Sequence, residues 1–298
     1  LFDNITVGQE NISFSFLWHE DHQGKAISAL KLYKGDNFVK NVDVSATSIS
    51  VLLSNTTYKL VAEYPNGNNT ESIYIEFTTL VKVVPEISVV SPTKTQTSVG
   101  FEISETDADN VGDVTKIELV HASGAIVAES LNQRSFANLL SNNAYTVKVT
   151  YVYNLGDGEG EHTVTKELAI TTEAKTTPSF IVKNESITTN SMNAQCDITD
   201  VDNILSSYKV ELYKDNTFVS DNSDKAIDFT GLDYYTDYTV KITFTYDLND
   251  GNGNQTAAYS YAFKTLPYID VTECNIANTS AVSEGETIFM SVMLDNPL

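Results

Sequence analysis

The stretch "LLSNTTYKL" at 52–60 decides the fold, because the chain writes it three times. It returns as "LLSNNAYTV" at 139–147 and as "LDYYTDYTV" at 232–240. Each copy places a leucine six residues before a tyrosine, at which an apolar/polar alternation begins: Leu52 and Tyr58, Leu139 and Tyr145, Leu232 and Tyr238. The tyrosines are 87 and 93 residues apart. Two further markers keep the period. A closing threonine stands at Thr79, Thr172 and Thr265, and a proline follows at Pro85, Pro178 and Pro267. A unit of this length is well above ordinary solenoid periods and large enough to own a core. Proline cannot donate to a sheet ladder, so it suits the entry to a first edge strand after a linker. These markers divide the chain into modules at 1–80, 81–174 and 175–266, with 267–298 opening a fourth.

Alternation then places strands inside each unit. The tyrosine strand reads Tyr58-Leu60-Ala62-Tyr64, Tyr145-Val147-Val149-Tyr151 and Tyr238-Val240-Ile242-Phe244 on one parity. The other parity is mostly polar, for example Thr146, Lys148 and Thr150. One buried and one wet face is the mark of an antiparallel sandwich sheet. An earlier strand reads "ISFSFLW" (12–18), "SVGFEIS" (98–104) and "MNAQCDI" (192–198). It sets Phe14, Phe101 and Cys196, with Phe16, Ile103 and Ile198, toward the core. A third strand, "LKLY", "IELV" or "VELY", runs into a hairpin turn, and a further strand carries Ile49, Phe136 and Phe229. Roughly seven strands per unit predict an all-β protein of immunoglobulin-like topology.

The Leu-to-Tyr element, the apolar strand leaving it and the closing threonine before a proline linker resemble the fibronectin type III module. The resemblance spans 1–266. It implies that Tyr58, Tyr145 and Tyr238 open the sixth strand, pack inward and bond the backbone of the preceding corner. Leu52, Leu139 and Leu232 would then plug the core below. The chain departs from that family in one respect: the tryptophan usual on the second strand is missing, and Phe16, Ile103 and Ile198 stand in its place. Divergent modules of this kind resemble those of bacterial cell-surface proteins.

Composition narrows the function. There are 40 acidic and 18 basic residues, a net charge of −22, which repels nucleic acid and anionic membrane surfaces. No run of eighteen apolar residues offers a membrane span. The two cysteines, Cys196 and Cys274, match no metal or redox spacing. The chain opens at Leu1 without an initiator methionine or signal peptide, so it reads as a segment of a longer protein. Two strands cannot make a sandwich, so 267–298 reads as a module cut short, or else as strands that pair with another surface.

Candidate chemistry is confined to acidic loops. "ETDADNVGD" (105–113) and "NLGDGEGE" (154–161) belong to the second unit, "DITDVDN" (197–203) and "DLNDGNGN" (247–254) to the third. In a fibronectin-type sandwich both loops of each pair lie at the end where the chain enters. Asp107, Asp109, Asp157 and Glu159 are thus metal candidates at one junction, and Asp200, Asp202, Asp247 and Asp250 at the next. Such oxygen-rich junctions suit Ca²⁺. The EF-hand spacing is missing, and the alternative is that Asp, Asn and Gly are simply the residues of tight turns. "HEDH" (19–22) pairs two histidines with two acids, without the spacing of helical zinc sites. No G-x-S-x-G elbow occurs, and neither cysteine has a histidine partner in its local sequence. Tyr153 and Tyr246 extend the inward parity, Tyr33 and Tyr213 fall off it, and Tyr234 and Tyr235 sit in a loop. One exposed tyrosine per repeat is ordinary surface, whereas a row of them would be a ligand platform, and the sequence does not show a row.

The expectation is a monomeric, non-catalytic extracellular spacer or adhesion segment, on or near a Gram-positive cell wall. It would hold other domains of the same polypeptide away from the cell. No cofactor is expected beyond Ca²⁺ at the junctions. The alternative is an accessory module of a secreted enzyme or adhesin that binds carbohydrate or a host protein.

Overall fold

A computed structural model describes residues 2–18, 25–222 and 226–268. The "HEDH" stretch, Cys274 and all but the first two residues of 267–298 lie outside these described residues. The described chain is built from strands, and none of it forms a helix long and apolar enough to cross a membrane.

The first module contains β1 (Phe2–Val7), β2 (Ile12–Phe16), β3 (Ala29–Lys34), β4 (Asn37–Val42), β5 (Ser48–Ile49), β6 (Thr57–Asn66) and β7 (Asn69–Thr78). These make a three-stranded sheet, β1-β2-β5, and a four-stranded sheet, β4-β3-β6-β7, with every pair antiparallel.

The second module repeats the plan with β8 (Glu86–Lys94), β9 (Ser98–Thr106), β10 (Gly112–His121), β11 (Ile126–Ser130), β12 (Ser135–Ala137), β13 (Ala144–Tyr153) and β14 (His162–Thr171). The third has β15 (Ser179–Ile187), β16 (Ser191–Thr199), β17 (Leu205–Lys214), β18 (Thr217–Asn222), β19 (Ala226–Thr230), β20 (Asp237–Asp247) and β21 (Asn254–Lys264). Each module therefore pairs its first, second and fifth strands in one sheet and its fourth, third, sixth and seventh in the other. That is the strand order of a fibronectin type III-like sandwich, and the tyrosine opens the sixth strand as the resemblance implied.

The cores follow the predicted parity. Ile12, Phe14, Leu30, Leu32, Leu60 and Ala62 are buried together in the first module. Val99, Phe101, Ile117, Leu119, Val147 and Val149 are buried in the second. Met192, Ala194, Cys196, Val210, Leu212 and Val240 do the same in the third. Each large apolar side chain so placed contributes roughly 1.5–3 kcal/mol of burial free energy. Cys196 behaves as one more small hydrophobe. Phe16, Ile103 and Ile198 pack against these cores as expected, each half-buried. Phe16 also packs its ring on Phe2 and Phe14.

The first strand of every module carries a bulge, and the residue in the left-handed region there is Asn4, Ser91 or Asn184. A bulged edge strand is a poor template for pairing with another chain. Pro85 and Pro178 are buried immediately before β8 and β15. By backbone contacts the chain forms two compact units, Leu1–Glu173 and Ala174–Leu298. The first holds two sandwiches, and the described part of the second holds one.

Candidate functional site

Each module closes its corner with the same two side chains. Tyr58 Oη accepts the N–H of Leu53 at 2.9 Å, Tyr145 Oη that of Leu140 at 3.0 Å, and Tyr238 Oη that of Asp233 at 3.0 Å. The rings are buried, as are Leu52, Leu139 and Leu232 below them. A second fastener was not foreseen. Thr79 Oγ1 accepts the N–H of Thr56 at 2.9 Å and donates to the carbonyl of Leu53 at 2.6 Å. Thr172 does the same with Asn143 N–H and Leu140 C=O, and Thr265 with Thr236 N–H and Asp233 C=O. These threonines are 1–2% exposed. Their constant spacing was the only signal, since threonine is common in any strand-rich sequence.

The acidic loops of the second module do meet the first module. Asp109 Oδ1 accepts from Gln9 Nε2 at 2.8 Å, and its Oδ2 accepts from the backbone N–H of Val83, in the linker, at 2.7 Å. Those two bonds, led by Val83, hold the Asp109 carboxyl below the usual carboxylate range. From the neighbouring loop, Leu155 C=O accepts Ser54 Oγ at 2.6 Å and Gly156 C=O accepts Ser54 N–H at 2.9 Å. Lys82 Nζ lies 2.5 Å from Glu10 Oε1 beside them. Gly156 has φ +69°, and a Cβ there would stand 3.1 Å from Glu10 Oε1, so glycine permits the close approach.

Asp107 turns inward instead. Its Oδ2 accepts from Val111 N–H at 2.7 Å, Gly112 N–H at 2.9 Å and Tyr151 Oη at 3.0 Å. Burial raises its pKa, yet these donors outweigh the burial and the carboxyl is held below its usual range. Tyr151 Oη is also 2.7 Å from Glu105 Oε1, and burial followed by these two carboxylates pushes the phenol pKa up. A Cβ on Gly112 would come within 2.5 Å of the Tyr151 ring, so this packing needs glycine.

The third module uses its acids in the same way within its own unit. Asp200 accepts from Ile204 N–H at 3.0 Å and Leu205 N–H at 2.9 Å, and Asp202 accepts from Thr176 N–H at 2.6 Å. The remaining candidates shape turns. Asp157 takes the N–H of Glu159, Asp247 that of Asn249, and Asp250 that of Asn252. Glu159 itself is exposed. The expected convergence of Asp107, Asp109, Asp157 and Glu159, or of Asp200, Asp202, Asp247 and Asp250, on one point is therefore not formed. Among the described residues no three His, Cys, Asp or Glu side chains gather as a metal-holding group. All of these acids except Glu159 already accept a backbone N–H, which turns at least one carboxylate oxygen of each toward its own loop or linker.

Two of the tyrosines sort differently from expectation. Tyr33 and Tyr213 are half-buried rather than exposed, each edge-on to a phenylalanine across its hairpin, Phe38 or Phe218. Tyr246 is buried, Tyr153 is half-buried on His162, and Tyr234 and Tyr235 are exposed.

No protein-family model and no curated protein matches the chain. Among solved structures it is similar to the FN1–FN3 domains of chicken CNTN1, at 10% identity, over 89% of this chain and 98% of that one, with a TM-score of 0.25. It is also similar to a two-domain fibronectin type III segment of chicken tenascin, at 21% identity, over 62% and 99%, with a TM-score of 0.23.

Proposed function

We propose that this chain is a non-catalytic spacer of an adhesion-type array, in which the first sandwich is tied to the second, and that it carries other domains of the same polypeptide. The observation that supports it is the bonding of the first module to the second through Asp109, Val83, Gln9 and Ser54. A flexible string of independent binding modules has no need to spend a carboxylate on its own linker. The acidic surface, net −22, keeps such an array soluble and unassociated. Placement outside the cell or on a cell wall completes the reading, and protease shaving of intact source cells, followed by immunodetection, tests it.

Spin labels on cysteines introduced at Tyr74 and Val127, with Cys196 and Cys274 replaced by serine, test the joint itself. Both labelled positions are exposed, one in each of the first two modules. A spacer gives a narrow distance distribution that broadens in Asp109→Ala. A distribution already broad in the parent chain, or unmoved by the substitution, contradicts the reading.

A further inference from the structure

The end of the first sandwich opposite its tyrosine corner carries a polar cluster. Lys25, just ahead of β3, donates from Nζ to Asn66 Oδ1 at 2.7 Å, across 41 residues of chain. Asn66 ends β6, and its Nδ2 donates to Glu71 Oε1 on β7 at 2.5 Å. The other oxygen of that carboxylate accepts Tyr64 Oη at 2.9 Å. Lys25 Nζ also lies 5.6 Å from the centroid of the Tyr64 ring, and Trp18 meets the same ring edge-on at 5.3 Å. Lys25 and Asn66 are half-buried, Tyr64 is buried and Glu71 is exposed.

The other modules close this end differently. Tyr64 faces Glu71 across the β6–β7 pair, and the equivalent pairs are Tyr151 with Val164 and Phe244 with Ala257. Two residues further along the sixth strand, Asn66 gives way to Tyr153 and Tyr246. Positions that are apolar or aromatic elsewhere are therefore a carboxylate and a carboxamide here. The hairpin does not call for either, since Gly67 at φ +61° already supplies its left-handed turn residue.

We propose that Lys25 and Asn66 become joined by an intramolecular amide bond, which the chain forms on itself with Glu71 as proton carrier. A lysine amine that has lost its proton is a nucleophile, and a carboxamide carbon can receive it. Oδ1 is about 1.2 Å from Cγ, so the amine stands within about 3.9 Å of the carbon it attacks, close to a near-attack distance. The Nζ lone pair forms the Nζ–Cγ bond, and the Cγ–Nδ2 bond breaks with its electron pair on Nδ2. The two protons that Nζ sheds in passing from ammonium to amide leave on Nδ2, so the products are a secondary amide and ammonium. Glu71, bonded to Nδ2 and held by Tyr64, carries a proton between the two nitrogens. Its exposed side gives the ammonium a way out. No oxidant or co-reactant is needed. The bond closes a 41-residue loop and so restricts the unfolded chain. The step occurs once per chain and does not depend on the spacer reading.

Intact-mass spectrometry of the full chain tests it. The chain should weigh less than its sequence by one ammonia, about 17 Da. Trypsin should fail to cut after Lys25 and should release a branched peptide joining Lys25 to Asn66. Lys25→Arg and Glu71→Gln should each restore the sequence mass and lower the Tm of the first unit. A chain at full sequence mass, even after prolonged incubation at mildly alkaline pH, overturns the proposal. So does a loss of ammonia that survives Lys25→Arg, which would be cyclisation of Asn66 onto the Gly67 nitrogen. A folded Glu71→Gln chain that cross-links as fast as the parent overturns the role given to Glu71.

Discussion

Asp109 accepts the backbone N–H of Val83 at 2.7 Å, and Asp202 accepts that of Thr176, 93 residues further on, at 2.6 Å. Both amides lie in a linker just ahead of a buried proline, where no sheet ladder is available to take them. A backbone donor without a ladder needs some acceptor. A carboxylate from the second-to-third-strand loop supplies it, and in the first unit that loop also reaches Gln9 of the preceding module. One residue thereby orients the linker and ties two cores together.

Asp109→Ala should accordingly lower the Tm of the first unit and split one unfolding transition of that unit into two. Asp109→Asn keeps an acceptor for Val83 and should retain most of the coupling. Differential scanning calorimetry of the full chain distinguishes them; an unchanged profile in Asp109→Ala would remove the residue from the joint.

Acid should loosen the same joint through Asp109 and, through Asp107, the loop that presents it. The folded pKa values of Asp107 and Asp109 both lie below the ordinary 3.8. For Asp107 burial opposes the shift, and the Val111, Gly112 and Tyr151 donors prevail. For Asp109 the Val83 and Gln9 donors dominate. A depressed folded pKa means that the unfolded chain binds the proton more tightly. The stabilisation is therefore complete above the unfolded pKa and lost as pH falls through the folded one. Thermal scans should show a Tm that is level near neutrality and drops below about pH 4. Asp107→Asn combined with Asp109→Asn should start lower and fall less steeply. Parallel acid limbs in parent and variant would contradict the assignment.

The corner was legible in the sequence, whereas of the joint only its place was legible and not its bonding, for a physical reason. Tyr58, Tyr145 and Tyr238 act through their own side chains, so the fold demands the same residue type at a fixed distance from a core leucine. Period-two alternation exposed the strands for the same reason, since a buried face constrains every second residue. Asp109 and Asp202 instead serve backbone amides, which leaves no trace in the identity of Val83 or Thr176. Their loops looked like cation sites because carboxylates that satisfy turns and carboxylates that bind metal have the same composition. Phe38 and Phe218 hid the half-burial of Tyr33 and Tyr213, because cross-hairpin register follows from turn geometry rather than from parity.

The two corner fasteners should prove coupled. Tyr145→Phe leaves the Leu140 N–H without its acceptor, and Thr172→Val leaves the Asn143 N–H and the Leu140 carbonyl short of a partner. Each should cost roughly 1–3 kcal/mol, the desolvation penalty of buried polar groups left unsatisfied. Because both side chains bond the backbone of Leu140, the double variant should lose less than the sum. Chemical denaturation of the two single variants and the double measures this. Strict additivity would show that the hydroxyls act independently, and no loss in Tyr145→Phe would dissolve the corner assignment.

Val51 offers the opposite test, a gain. Its backbone has φ +59° and its side chain is 90% exposed, at the place where the later repeats have Asn138 at +59° and Gly231 at +71°. A β-branched residue in the left-handed region is strained, by about 1–3 kcal/mol, and no buried contact offsets this here. Val51→Asn relieves the strain with a residue the second module already uses, so the first unit should gain on the order of 1 kcal/mol. Val51→Gly gains less, because glycine also enlarges the conformational freedom of the unfolded chain. The ordering Asn above Gly above Val in Tm is the expected result. If valine proved equal to asparagine, the corner backbone would have to relax out of the left-handed region whenever a branched side chain occupies it.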